Sequence, residues 1–338
     1  MKLFKVFMAV FGVLGLVVGA GPSAASAAPP KVREITIVQP SPFQPAYDII
    51  QWLMANEAAK DGIKIKFPQA KGQTAQMAVL VRGDADIAYH TPGATVRAVK
   101  KGLAVAFAGW FRYSTFPFVV PAEIKTLQDL KGKRLGAHAR GSLTEFTVRV
   151  ILGERGIKAE DYELLYIPGT PKRAAALRAG QLSGTVISAV PAFRLERQTK
   201  GRLRIIGFLN ELIPGAVSTT VWVTTPKVLK EKPELVKTFL NYYLRAVDRF
   251  HKEDVKELAS FARSFWKKWK KYDVQDLESI FKRYRQWDMF HRDGRVAKDE
   301  WEKTMDLAVK YEAISPGERL SYEQVFDTAI LKEVLSRR

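Results

Sequence analysis

Residues 82–94 read RGDADIAYHTPGA and residues 178–192 read RAGQLSGTVISAVPA. Each stretch spells the end of a helix at a glycine, a turn, a short apolar strand and a loop marked by proline. In the first, Arg82 and Gly83 close a helix, Asp84 and Asp86 form the turn, and residues 87–89 make a strand that delivers His90 and Thr91 to its carboxyl end. In the second, Gly180 closes the helix, and Val186 and Ile187 deliver Ser188. Open parallel sheets bind ligands just beyond such carboxyl ends. A unit that occurs twice therefore predicts two similar lobes, each presenting a strand end to a shared cleft. The copies are not identical, because Gly83 precedes Pro92 by nine positions and Gly180 precedes Pro191 by eleven.

Working outward, strands alternate with helices on both sides of each copy, as a largely parallel sheet requires. Residues 33–39 read as a strand that Pro40, Pro42 and Pro45 terminate. Ile49, Ile50, Leu53 and Met54 then recur at helical spacing. A strand over 63–67, helices over 74–82 and 95–100, and a strand over 104–111 complete the first lobe. Residues 112–121, aromatic and proline-punctuated, read as the crossing to the second lobe. There the pattern restarts, with strands over 134–138, 162–167 and 203–208, and helices over 143–155, 171–179 and 193–200. An apolar strand over 219–224 leads to Pro226, and residues 216–226 read as the return crossing. Helical segments follow over 235–250, 255–269, 274–284, 298–311 and 322–335. Within them Trp266 and Trp269 interleave with four lysines, which suits either a membrane or nucleic-acid patch or a helix that docks its tryptophans and solvates its lysines.

The amino end is a separate matter. Lys2 and Lys5 precede an apolar run over 6–20, and Ala25, Ser26 and Ala27 supply the small residues of a cleavage site, so residues 1–27 are expected to be a signal peptide removed after Ala27. The expected divisions are 28–117 for the first part of lobe one, 118–221 for lobe two, and 222–338 for the second part of lobe one with the C-terminal helices. With 338 residues and 47% apolar content the chain can bury two cores. It has no cysteine, hence no disulfide, thiolate metal site or cysteine nucleophile. The formal charge is +19, and residues 31–226 hold 27 Lys and Arg against 15 Asp and Glu. Such a field favours an anionic ligand or an anionic surface, although a generally basic exterior gives the same count. No nucleic-acid-binding motif accompanies it, so no nucleic-acid partner is expected.

Catalytic and metal-binding patterns are missing. His90, His138, His251 and His291 lack metal-ligand spacing, and the chain has no Walker loop, G-x-G-x-x-G or G-x-S-x-G. Neither a metal nor a cofactor is expected. The most informative site is Gly136 to Glu145, GAHARGSLTE, where a strand runs through a glycine turn into a helix. The free amides of a helix amino end suit a carboxylate, sulfonate or phosphate, while Ser142 and Glu145 at capping-box spacing also suit a plain helix cap. Candidate ligand contacts are Arg140, Gly141, Ser142 and Thr144 here. His90 and Thr91 stand at the matching place in lobe one, with Phe43, Gln44 and Tyr47 after the first strand, Gln73 and Thr74 opening a helix, and Ser188 and Ala189 facing from lobe two. Trp110, Arg112 and Glu211 are outer candidates.

With these residues in view, the chain resembles periplasmic solute-binding proteins of the nitrate, sulfonate and taurine ABC-transporter group, whose branch includes thiamine-pyrimidine binders. The carriers of the resemblance are Gly83-Asp84-Ala85-Asp86-Ile87-Ala88, the LQDLKGKR run of 127–134, Gly141-Ser142, and the Gly180 phrase with Pro191. Ser183 departs from the pattern, since relatives usually have Asp there. The resemblance implies an α/β, two-lobed type II periplasmic binding fold with two hinge crossings and a helical C-terminal segment. It further implies a monomer that closes on a small, anionic solute and delivers it to an ABC permease at the inner membrane. Two other classes stay open: an enzyme of the same fold acting on a pyrimidine or aromatic metabolite, without the cysteine cluster of the pyrimidine synthases, and a ligand-sensing partner of a membrane receptor.

Overall fold

The computed structural model describes residues 32–40, 46–215, 220–265 and 272–338. The segment expected to be a signal peptide, Phe43, Gln44, Trp266 and Trp269 lie outside the described residues, and so does part of the return crossing. Strands and helices alternate in chain order through β1 (Glu34–Thr36), α1 (Ile49–Lys60), β2 (Lys64–Lys66), α2 (Gln73–Arg82), β3 (Ala88–His90), α3 (Pro92–Lys100) and β4 (Val105–Phe111). The pattern then repeats as β5 (Phe118–Pro121), β6 (Arg134–Ala137), α4 (Leu143–Gly153), β7 (Glu163–Tyr166), α5 (Thr170–Arg178), β8 (Gly184–Val186), α6 (Ala189–Gln198) and β9 (Leu203–Gly207). A short α7 (Leu209–Leu212) and β10 (Thr220–Thr224) follow.

Two sheets result, and they share one strand order. β1 pairs parallel with β2, and an Ile37–Ile87 bridge, also parallel, joins that pair to β3, which continues through β10 to β4. The first sheet thus runs β2-β1-β3-β10-β4. The second runs β7-β6-β8-β5-β9. In each, the fourth strand runs opposite to the other four: β10 is antiparallel to β3 and β4, and β5 to β8 and β9. Residues 118–121, expected to be part of a linker, are therefore a strand within the second sheet. The short apolar run Phe118-Val119-Val120 is fully buried there, and its flanking prolines mark its limits and not a loop. Likewise β10, which begins at Thr220, sits in the middle of the first sheet.

The C-terminal part is helical: α8 (Pro226–Glu231), α9 (Pro233–Lys252), α10 (Val255–Ser264), α11 (Val274–Gln286), α12 (Lys298–Lys310), α13 (Tyr322–Val325) and α14 (Ala329–Ser336). Proline opens α9, where its missing N–H costs nothing. The buried stripe of α9, including Val236, Phe239, Leu240, Tyr243 and Phe250, shares a core with Ile49, Ile50, Leu53 and Met54 of α1. The helix expected over 322–335 is broken between α13 and α14. The break arises because Asp327 N donates to Ala106 O at 2.9 Å and Phe326 bridges Ala106, so the chain turns extended along β4 before helix resumes. Trp301, Met305 and Ala308 of α12 pack in a cluster that also holds Val221 of the first sheet and Leu135 and Val186 of the second.

Candidate functional site

The two sheets end their third strands alike. Thr91 is the N-cap of α3 directly after β3, and Ser188 is the N-cap of α6 one residue after β8. Counted to these caps the two copies are equal, with eight residues from Gly83 to Thr91 and eight from Gly180 to Ser188. Only the proline differs: Pro92 opens α3, whereas Pro191 is the third residue of α6. Gly83 and Gly180 hold φ of 81° and 72°, a conformation that a residue with Cβ adopts only at a cost, which is why glycine closes both helices.

The correspondence extends beyond what the sequence displays. α2 and α5 each start after a glycine, Gly72 and Gly169, with φ of 82° and 90°. The first residue of each helix reaches the cap of the next: Thr91 Oγ1 donates to Gln73 Oε1 at 2.8 Å, and the Thr170 and Ser188 hydroxyls lie 3.2 Å apart. The fourth residue of each is a buried polar group that ties down strand-end carbonyls. Gln76 Nε2 donates to Val38 O at 2.6 Å, while Arg173 donates from Nη1 to Ile167 O at 2.9 Å and from Nε to Val186 O at 3.3 Å. Ser183 occupies the place of Asp86, since their amides donate to Arg134 O and Thr36 O at 2.8 and 2.9 Å. The Asp86 carboxylate adds bonds to Thr36 N and Lys232.

Sequence reasoning missed Arg173, because an arginine in a helix reads as a solvated face. Here it is buried, its hydrogen bonds go to backbone carbonyls, and desolvation holds its guanidinium down at about 10. Its charge in turn holds down the His138 ring, after burial, and His138 Nδ1 accepts from Gly169 N at 3.0 Å.

Six of the predicted residues, Thr91, Gly141, Ser142, Tyr47, Ser188 and Ala189, meet in two small spaces. Thr91, Pro92 and Gly93 face Gly141, Ser142 and Leu143 across a pocket of about 30 Å³. Tyr47 faces Ser188 and Ala189 across one of about 10 Å³. Each has room for one or two waters at most. Gln73, Thr74 and His90 line a different hollow, between α2 and α3, of about 520 Å³. His90 is buried, neither ring nitrogen has a hydrogen-bond partner among the described residues, and desolvation lowers its pKa to about 4.

At the start of α4 the cap is closely tied. Ser142 Oγ donates to Ala139 O at 2.6 Å and accepts from Glu145 N at 3.3 Å, and Thr144 Oγ1 accepts from His138 N at 2.9 Å. The buried Glu145 carboxylate accepts from Gly141 N at 2.5 Å, Tyr166 OH at 2.6 Å and Arg149 Nε at 3.1 Å. The Leu143 and Thr144 amides meet no partner among the described residues. Arg140 is exposed, its guanidinium 4.9 Å from the centre of the Tyr166 ring.

Of the outer candidates, Trp110 does not reach the cleft. It is fully buried, 4.8 Å from Trp222 in a stack and 5.0 Å from the Tyr47 ring, so it supports Tyr47 from below. Arg112 lies 3.7 Å from Glu300, and Glu211 accepts from Phe208 N at 2.8 Å as the cap of α7.

A family model described as NMT1/THI5 like matches residues 58–255. No curated protein matches the chain. Among solved structures, the ligand-binding component of an ABC-type import system from Staphylococcus aureus, with zinc bound, is 14% identical with a TM-score of 0.68, covering 90% of this chain and 99% of that one. The alkanesulfonate-binding protein SsuA from Xanthomonas axonopodis pv. citri, bound to MOPS, is 16% identical at 0.64, covering 90% and 100%. The aliphatic sulphonate-binding SsuA from Escherichia coli is 15% identical at 0.64, covering 88% and 92%. The chain has the periplasmic binding fold of these structures. Among its described residues there is no group of three or more His, Asp and Glu that could hold a metal.

Proposed function

We propose, because this chain belongs to the NMT1/THI5-like family, that it captures a small anionic solute between two lobes, leaves it chemically unchanged and hands it to an ABC permease. The lobes are residues 28–117 with 222–338, and residues 118–221, except that Thr220 and Val221 go with the first lobe because they pair with β3 and β4. The protein is exported, its first 27 residues are removed, and it works in the periplasm as a monomer. The observation that carries this reading is the shared order of the two sheets, which brings the strand end at Thr91 against Gly141 and Ser142, and Tyr47 against Ser188 and Ala189. A solute entering there touches both lobes at once, and such contact lets it stabilise the closed form.

A sulfonate or carboxylate is supported by the basic excess of the lobes, by the two open amides at the start of α4, and by Arg173, a buried cation at the strand ends of the second sheet. Structural neighbours that bind sulfonates agree with that class. Because these pockets have room only for water, the solute enters an opened form, with the chain bending near residues 112–117 and 213–215. The test combines mass spectrometry of protein purified gently from periplasm with thermal denaturation in a panel of sulfonates and carboxylates. A true ligand at about 100 times its Kd stabilises by about 2.7 kcal/mol and shrinks the scattering radius. Ser188→Trp, which fills the seam, abolishes both. No saturable stabilisation by any anion in the panel, together with an unchanged scattering profile, would sink the reading. Recovery of a chemically altered solute would replace it with an enzyme.

A further inference from the structure

We propose that the trench between α2 and α3, which adjoins the interlobe seam at Arg97, is a second ligand site that takes an amphipathic organic anion. The helices set it up by periodicity. Met77, Ala78 and Val81 fall on one stripe of α2, Ala94 and Ala98 on one stripe of α3, and Leu103 closes the end, leaving a hollow of about 520 Å³. That volume is in the range of small-molecule pockets, and its mostly apolar wall with few polar groups is their usual composition. Val81 is 52% exposed and is the one large exposed hydrophobic among the described residues, so the open trench leaves apolar surface in water.

Beside the neutral Gln73 and Thr74, two cations and one imidazole give the wall its polarity. Arg97 and Lys101 stand one turn apart on the trench face of α3; Arg97 lies 3.5 Å from Glu318, and Lys101 has no ion-pair partner among the described residues. They fit an acidic group. His90 forms part of the floor near the amino ends of both helices. It is 1% exposed, and both its nitrogens lack partners among the described residues although a buried polar group ordinarily has one. A neutral ring offers one donor and one acceptor, so His90 meets a hydrogen-bonding group on the ligand's body. An apolar body with an acid and a hydrogen-bonding group satisfies all three features together.

Anilinonaphthalene sulfonate has that make-up and fluoresces on burial, so it serves as the probe on the full mature protein. Saturable binding is expected, with the imidazole nitrogen resonances of His90 moving during the titration. Ala78→Trp, at an exposed helical position, fills the trench and should weaken the probe by at least about tenfold. Lys101→Glu should weaken it more at low than at high salt. Unchanged affinity in Ala78→Trp, or His90 resonances that stay fixed at saturation, would overturn the proposal. Loss of the probe in Ser188→Trp alone would move it to the seam and also overturn the trench site, while leaving the interlobe reading intact.

Discussion

The Ser142 hydroxyl has one proton, and Ala139 O receives it. Its lone pairs face Glu145 N, so the side chain is saturated as a cap, and a solute at this end of α4 meets the Leu143 and Thr144 amides instead. Ser142→Ala should therefore cost about 0.5–2 kcal/mol in urea unfolding, with Ser142→Thr costing less. Calorimetric titration with the solute should show less than about a threefold change for either variant. Glu145 acts in the opposite sense. Its carboxylate sits on Gly141 N, where it opposes an incoming anion. Glu145→Gln keeps an acceptor for that amide and removes the charge, so it should tighten an anionic solute roughly fivefold at low salt while weakening the bonds to Arg149 and Tyr166. Unchanged affinity would place the solute's acid away from α4. Two buried histidines contribute on the acid side: burial holds His90 at about 4, and burial with the Arg112 charge holds His291 at about 3. Both folded values lie below the usual 6.5, so the unfolded chain binds more protons between them. The stability they contribute is complete above pH 6.5 and declines as pH falls toward 4 and then 3, by up to about 1.4 kcal/mol per unit per ring. Urea midpoints measured across that range should fall with acidification, and His90→Gln should flatten the slope between pH 6.5 and 4.

Helix α4 meets α12 at a place where one residue type fits. A Cβ on Gly153 would stand 2.1 Å from the Tyr311 ring, and Tyr311 OH and Lys310 Nζ both bond Glu154 Oε1, at 2.7 and 2.6 Å. Ala is the better helix former, yet Gly153→Ala should destabilise by about 1–3 kcal/mol because the ring must leave its place. In a Tyr311→Ala background the same change should become neutral or stabilising, a reversal that a double-mutant cycle of urea midpoints reads directly. Contacts of this kind explain which elements were legible in the sequence. The β3 and β8 units stand out because a glycine cap, a turn and an apolar run are local chemistry. Phe118-Val119-Val120 reads as linker between prolines because its strand partners, β8 and β9, lie more than sixty residues downstream. The break after α13 depends on Ala106, far upstream in sequence, and the burial of Arg173 and Trp110 depends on what packs over them in the folded chain. The cap at Ser142 was legible, whereas the resident carboxylate on Gly141 N emerged only from the side-chain geometry.

Taken whole, the molecule joins two equivalent sheets through helices that belong to neither. Arg197 of α6 makes a two-point bond to Asp276 of α11, at 3.1 and 3.0 Å, and Glu154 next to α4 holds Lys310 of α12, so the C-terminal helices grip the second sheet at both sides. The sheets nevertheless differ in how far along the chain their strands lie. Every strand of β7-β6-β8-β5-β9 falls between Phe118 and Gly207, whereas the first sheet places β10 between β3 and β4. As the chain emerges from a ribosome or a translocation pore, β3 and β4 must wait more than a hundred residues for the strand that joins them. The second sheet has no such wait, and closing shorter loops is both cheaper and faster. The half of the molecule that comes later in sequence should therefore acquire its native pairing first. In refolding followed by pulsed hydrogen exchange, the amides of Leu135 and Val186 should gain protection before those of Ala88 and Ala106. Until β10 arrives, the edges of β3 and β4 stay open, and in that interval the chain is most vulnerable to joining with another copy of itself.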